Sequence, residues 1–251
     1  IELRKVYRQA ERRFIGLLEC IRSGEIDEDV LLELNSRVSV TSGYDQHHIT
    51  LTARNNIATV INTKALNQLE TPAFDYQAQI TGHFNPSLFP TDAVLTLKKG
   101  AQVMFVKNDP LKKYVNGTLG VVDDLTEESI KVEVENDAGK KTIIEVTRQE
   151  WEVLRYSDKR GEDGIKTETV GSFHQYPLKL AWAITVHKSQ GKTFDKVIID
   201  LGGGAFEHGQ TYVALSRCRT LEGIKLKRPI KYQDILIDDR IMDFYDQIRR
   251  Y

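Results

Sequence analysis

Asp195-Lys196-Val197-Ile198-Ile199-Asp200-Leu201, followed at once by Gly202-Gly203-Gly204, is the run on which the architecture turns. It is apolar, rich in β-branched residues and shows no alternation. That pattern reads as a strand buried on both faces, as in a parallel sheet covered by helices. The glycines turn the chain away from it. Downstream, Gln210 to Ser216 reads as a helix, Ile224 to Leu226 as a further strand, and Asp238 to Arg250 as a last helix with Ile241, Phe244, Tyr245 and Ile248 inward. Upstream, Leu178 to Ser189 is expected to be a helix after Pro177.

The N-terminal third continues the α/β pattern. Phe14, Leu17, Leu18 and Ile21 recur at helical spacing over Arg12 to Arg22, and Gly24 ends that helix. Asp27 stands at the N-cap of a second helix carrying Val30, Leu31, Leu32 and Leu34. The polar run Ser36 to His48 reads as a loop. Ile49 to Thr52 is a strand, and Asn55 to Leu69 a helix with Ile57, Val60, Ile61, Ala65 and Leu69 on one face.

Between Phe74 and about Tyr156 the period changes to two. Phe74–Ile80, Ala101–Lys107, Gly120–Val122, Ile130–Val134 and Thr142–Val146 read as short strands. Asn116-Gly117, Asp123-Asp124 and Asp137-Ala138-Gly139 are the expected turns, and Lys159 to Glu162 an exposed loop. Several short strands at this spacing predict a small antiparallel barrel interrupting the α/β domain. The expected boundaries are 1–96 and 174–251 for the two parts of the α/β domain, with 97–173 as the insert.

Composition narrows the function classes. The chain has 251 residues, 40% hydrophobic and 28% charged, with 35 Lys and Arg against 36 Asp and Glu, for a net charge of −1. This excludes collagen, coiled coil and wholesale disorder, and a surface that is basic throughout. No apolar run is long enough to span a bilayer. Cys20 and Cys218 cannot build a disulfide framework, and no export segment is visible, so a reducing cytoplasm is expected. The first residue is Ile, and the opening stretch reads as the interior of a longer chain.

Two glycine-containing stretches imitate a phosphate loop. Gly191-Lys192-Thr193 lacks the first glycine, with Val186 in its place, and Gly204 to Thr211 has Gln210 where the lysine belongs. No strand ends in paired acids that would hold magnesium. The cysteines have no Cys-x-x-Cys partner and His47-His48 reads as a surface pair, so no metal site is expected. No nucleophile elbow stands out either.

The informative residues are two blocks, "AWAITVHKSQGKTFDKVIIDLG" at 181–202 and "GQTYVALSRCRTLEGI" at 209–224. The first ends in a polar turn before the buried strand, a position from which loops contact phosphates. The second ends in two arginines. Together they resemble motifs V and VI of superfamily 1 DNA helicases of the RecD and PIF subfamily, which move 5′ to 3′. "LRKVYRQAERRFIGLLECIR" at 3–22 is similar to the start of that subfamily's second motor domain, whose motif IV arginine falls in an Arg-Gln pair. "LTARNNIATVIN" at 51–62 resembles the strand-turn-helix that follows it. "GAQVMFVKND" at 100–109 and "VNGTLGVV" at 115–122 resemble strands of the small barrel inserted there.

The resemblance implies a RecA-like lobe without a Walker loop, interrupted by a small Src-homology-like barrel: the C-terminal half of an ATP-dependent helicase. ATP and Mg2+ would be bound mainly by a missing N-terminal RecA-like domain, and this half alone would be inactive. Arg217 matches the motif VI arginine and Arg8 the motif IV arginine, both directed at the γ-phosphate, while Arg219 points elsewhere. Gln190 and Gly191 match the motif V turn near the nucleotide. Thr193 stands where relatives often carry an acid near the ribose. Thr185, His187 and Lys188 match the part facing single-stranded DNA, joined by Thr52 and Asn55, which equally suit a strand end and a helix cap. Asn116 suits a turn better than a DNA contact. Two other readings are a strand-binding or protein-binding module without motor activity, and a subunit of a recombination exonuclease, for which no nuclease centre is visible.

Overall fold

The computed structural model describes residues 7–39, 48–136, 139–161 and 164–249. In chain order the elements are α1 (Arg12–Ser23), α2 (Glu28–Asn35), β1 (Ile49–Thr52), α3 (Asn55–Gln68), β2 (Ala73–Gln77), β3 (Gln79–Gly82), β4 (Val94–Lys98), β5 (Gln102–Phe105), β6 (Leu119–Leu125), β7 (Ile130–Glu135), β8 (Lys141–Val146), β9 (Gln149–Gly161), β10 (Gly164–Gln175), β11 (Leu178–Leu180), β12 (Ala183–Thr185), β13 (Val197–Asp200), α4 (Gln210–Leu215), β14 (Ile224–Leu226) and α5 (Asp239–Arg249). The chain divides into two compact units, 1–63 with 182–251, and 64–181.

The first unit is built on a parallel sheet in the order β12-β1-β13-β14. β1 and β13 are buried along their whole length; β13 is the apolar run without alternation, while β1, Ile-Thr-Leu-Thr, buries its two threonines as well. Helix α1 buries Phe14, Leu17, Leu18 and Ile21, a stripe contributing roughly 1.5–3 kcal/mol for each large side chain. It ends at Gly24, whose φ of 79° is the left-handed cap that glycine adopts without a Cβ clash. Asp27 caps α2 by accepting from Val30 N.

Several sequence expectations need correction here. Of the apolar residues of α2 only Leu34 is buried, and Leu32 is 73% exposed. On α3 the buried side chains are Ala58, Ala65 and Leu66, while Val60 is exposed. In α5, Ile241 and Phe244 are exposed rather than inward, and Tyr245 and Ile248 lie outside the described side chains. Most of the 36–48 loop, with His47, and the start of the 3–22 segment also lie outside the described residues.

The largest correction concerns 178–189, which is no helix. It forms β11, β12 and a single 3-10 turn at His187–Ser189. Residues 181–186 are all buried, which a helix burying one stripe cannot achieve, and β1 takes their backbone groups: Thr50 N donates to Trp182 O at 2.8 Å and Val186 N to Thr52 O at 2.9 Å. On the opposite edge of β12, the Asn62 side chain donates to Ala183 O and accepts from Ala183 N, each at 2.8 Å. That pairing blunts the sheet edge.

The second unit is antiparallel. It holds a five-stranded sheet in the order β11-β5-β6-β7-β8, a three-stranded sheet β3-β10-β9, and the pair β2-β4. The compact unit, 64–181, reaches beyond 97–173 in both directions: β3 pairs with β10 and β11 with β5, and the β2-β4 pair falls within it. Asp123-Asp124 is not a turn: both residues lie in β6, at a register shift between Val122 and Asp124. The chain reverses instead at 126–129, where Thr126 N donates to Ser129 O at 2.9 Å. Asn116-Gly117 does turn, with Gly117 at φ 103°, and Asn116 N donates to Asn108 Oδ1 at 2.8 Å. Gly139 also turns, at φ 74°. The stretch expected as a loop at Lys159 continues β9 as far as Gly161, in a long hairpin with β10. Among the described residues, no helix is long and apolar enough to cross a membrane.

Candidate functional site

Both candidate sites lie in the parallel-sheet unit. At the carboxyl ends of β1 and β12, the edge where open α/β sheets bind ligands, a recess of about 370 Å³ is lined by Ala53, Arg54, Asn55, Thr185, His187, Lys188, Phe206 and Glu207. Asn55 opens α3, and His187 and Lys188 open the 3-10 turn that Thr185 braces by accepting from Lys188 N at 3.4 Å. Four of the five residues expected to face a strand thus meet here. Thr52 does not: its side chain is fully buried, and its hydroxyl donates to Arg54 O at 3.1 Å, so it shapes the turn from beneath.

Sequence reasoning missed the other four lining residues, Ala53, Arg54, Phe206 and Glu207. His187 Nε2 lies 2.6 Å from Glu207 Oε2. Arg54 places its guanidinium 4.5 Å from the centroid of the Phe206 ring. The Gly204–Thr211 stretch that imitated a phosphate loop in fact carries Phe206 and Glu207 into the recess and then starts α4. Gln210, at the failed lysine position, is buried and bonded to Phe206 N and Ala53 O. The signal that could have found Phe206 was a large aromatic residue in a glycine-rich turn.

A second recess, of about 480 Å³, is lined by Tyr7, Arg8, Gln9, Thr193, Tyr212 and Ser216. Arg8 Nε donates to Thr193 Oγ1 at 2.9 Å and its Nη1 to Ser216 O at 3.0 Å. Arg217, only 9% exposed, is held by Nε to Val213 O at 3.0 Å and Nη2 to Ser216 Oγ at 2.8 Å. Ser216 is therefore the common anchor of the two arginines. Burial lowers the Arg217 pKa and the nearby charge of Arg8 lowers it further, opposed by Tyr212. Gln9 is buried and donates from Nε2 to Ser216 O at 3.0 Å and Cys218 O at 2.9 Å, a clamp across Arg217 that the sequence did not suggest. Thr193, which stands where an acid is common, accepts from Arg8 and so helps to orient it.

Gln190 and Gly191 are exposed and are not among the lining residues of this recess. Gly191 has φ 76° with open space around its Cβ position, so the demand for glycine there is conformational. Arg219 turns away to Asp195 at 3.2 Å. Among the described residues, no group of His, Cys, Asp or Glu could hold a metal ion.

The two recesses share connectors. The 187–193 segment begins at His187 and Lys188 in the first and ends at Thr193 in the second. α4 begins just after Glu207 and delivers Tyr212 and Ser216. A parallel bridge between Phe194 and Cys218 ties these connectors together.

The site thus defines a parallel α/β lobe with two arginines anchored on one residue, Ser216, and a separate recess of polar groups suited to phosphates. Comparison with known proteins is specific. No protein-family model matches the chain. It is 34% identical over 262 residues, and over its whole length, to the human ATP-dependent DNA helicase PIF1. It is also similar to Pif1 from Bacteroides sp. in complex with ADP-AlF4, at 39% identity and a TM-score of 0.84 over 98% of the chain. Bacteroides Pif1 bound to ssDNA matches at 38% identity and a TM-score of 0.75 over 100% of it. Its homologues are thus PIF1 DNA helicases; these names give no support to the RecD or exodeoxyribonuclease comparison. The chain spans 38% of the human protein and 56–57% of the Bacteroides chains.

Proposed function

We propose that the chain is the C-terminal half of an ATP-dependent 5′–3′ DNA helicase, a RecA-like lobe whose antiparallel unit is the inserted Src-homology-like barrel. In this reading Arg217 and Arg8 face the γ-phosphate of ATP held with Mg2+ by an N-terminal RecA-like domain, and Asn55, Thr185, His187 and Lys188 grip single-stranded DNA. Such a half is inactive alone.

The observation that carries the reading is the shared anchor at Ser216, which holds the Arg8 guanidinium in a recess with no carboxylate among its lining residues and the Arg217 guanidinium buried beside it. That donor set fits a triphosphate. Bound ATP supplies the phosphoryl group, on which negative charge develops during transfer, and a planar cation stabilises that charge by about 10³–10⁵ in rate. Thr193 and Gln9 hold the two arginines in place, so little reorganisation remains at reaction. Gln190 and Gly191 shape the turn that carries Thr193 there. At the other recess, hydroxyl, amide and cationic groups suit backbone phosphates and carry no sequence readout. Because the 187–193 segment contributes to both recesses, and α4 follows Phe206 and Glu207 of one and carries Tyr212 of the other, a change at the arginines reaches the strand grip through these connectors.

The test is Arg217→Ala in the full-length protein. It is expected to keep ATP binding and lose ATP turnover by at least about 10³-fold. Near-normal turnover removes Arg217 from this role.

A further inference from the structure

The recess at the ends of β1 and β12 contains groups suited to phosphates and one that is not. Phe206 is 43% exposed beside Asn55, His187 and Lys188, where a large apolar ring gains little from burial. One face of that ring is met by the Arg54 guanidinium at 4.5 Å. The arrangement is held from below: Gln210, only 4% exposed, accepts from Phe206 N at 3.1 Å through Oε1 and donates from Nε2 to Ala53 O at 3.5 Å. A single buried amide thereby ties the backbone of the ring to the backbone next to the guanidinium.

From this we infer that Phe206 and Arg54 form a seat for one nucleobase of a single strand whose phosphates lie against Asn55, His187 and Lys188; the inference rests on reading the recess as a strand grip. An aromatic face and a guanidinium plane both stack on bases, and both do so with little regard to sequence, since every base offers a π-face. Gln210 is the positioning residue. It is also the first residue of α4, whose far end carries Ser216, so the seat is fixed to the same helix as the arginine anchor.

The test uses the full-length protein and thymidine oligonucleotides in which one abasic site is moved along the strand. In the wild type, one position is expected to weaken binding by about tenfold on loss of its base. The same lesion is expected to cost Phe206→Ala nothing, and likewise Phe206→Leu, which keeps the apolar volume without the π-face. Phe206→Tyr restores the penalty. If both the Ala and Leu variants keep the wild-type penalty at that position, or the wild type shows no penalty anywhere, the seat is overturned. Lys188→Ala separates the two readings: it is expected to weaken every oligonucleotide alike while the abasic penalty persists. Unchanged affinity in both Lys188→Ala and His187→Ala sinks the strand grip and the seat with it.

Discussion

Glu207 is an acid in a recess otherwise suited to phosphates. Its carboxylate is 2.6 Å from His187 Nε2, and both side chains are about half exposed, so a phosphate approaching His187 meets a competing and repelling charge. Exposed pairs of this kind contribute about 0.2–1 kcal/mol. Glu207→Gln in the full-length protein is therefore expected to tighten single-strand binding about two- to fivefold at low salt, and the gain should shrink as salt screens the charge. Oligonucleotide titrations at two ionic strengths measure this; equal affinity at low salt would mean that Glu207 does not face the strand. None of this was legible in the sequence, since the turn after Gly204 signals only a change of direction. Arg8 and Arg217 were visible as residues, but not the reason they meet. That depends on Gln9 and Ser216, whose bonds span more than 200 residues of chain.

At the scale of elements, legibility followed the strength of the local pattern. β13 is apolar without alternation, β1 (Ile-Thr-Leu-Thr) and β14 (Ile-Lys-Leu) alternate over short runs, and α1 has a clean stripe; all four were readable. The 178–189 segment failed because a short apolar run carries no period that separates a buried strand from a buried helix. The β9–β10 hairpin failed because charged residues near Lys159 look like a loop, although a strand tolerates them. The exposed face of α5 was misread because periodicity identifies an apolar stripe without saying what covers it. One junction between elements is open to test. A Cβ on Gly223 would lie 2.1 Å from Asp195 O and 2.7 Å from Cys218 Sγ. That clash falls beside the bridge in which Phe194 N donates to Arg217 O at 3.0 Å and Arg219 N to Phe194 O at 3.2 Å. Gly223→Ala is expected to cost about 1–3 kcal/mol, seen as a lower melting temperature, and to reduce ATP turnover in the full-length protein because Arg217 sits on the displaced segment. Wild-type melting and turnover would show that the backbone yields at no cost.

For the molecule as a whole, alkali is expected to act through the antiparallel unit's buried tyrosines. In the antiparallel unit, Tyr76 is 2% exposed, donates its hydroxyl to Thr126 O at 2.6 Å, and meets Tyr176 edge to face at 5.1 Å. Tyr176 in turn donates to Glu128 O at 2.7 Å, so the two rings clamp the 126–129 reversal. Burial, reinforced by Tyr176 and opposed by Arg148, pushes the Tyr76 pKa from 10.0 up to about 12. A folded-state pKa above the unfolded one means that the neutral phenol favours folding. The contribution is complete below pH 10 and is lost as pH rises towards 12. Stability measured by denaturant melts across this range should fall, with tyrosinate absorbance growing as structure is lost. Tyr76→Phe removes the hydroxyl: near neutral pH it should be less stable by about 1 kcal/mol through the lost hydrogen bond. Its stability should then decline less steeply than the wild type above pH 10, so that the two curves converge. Parallel curves would assign the alkaline loss to other groups and leave Tyr76 as a packing residue alone.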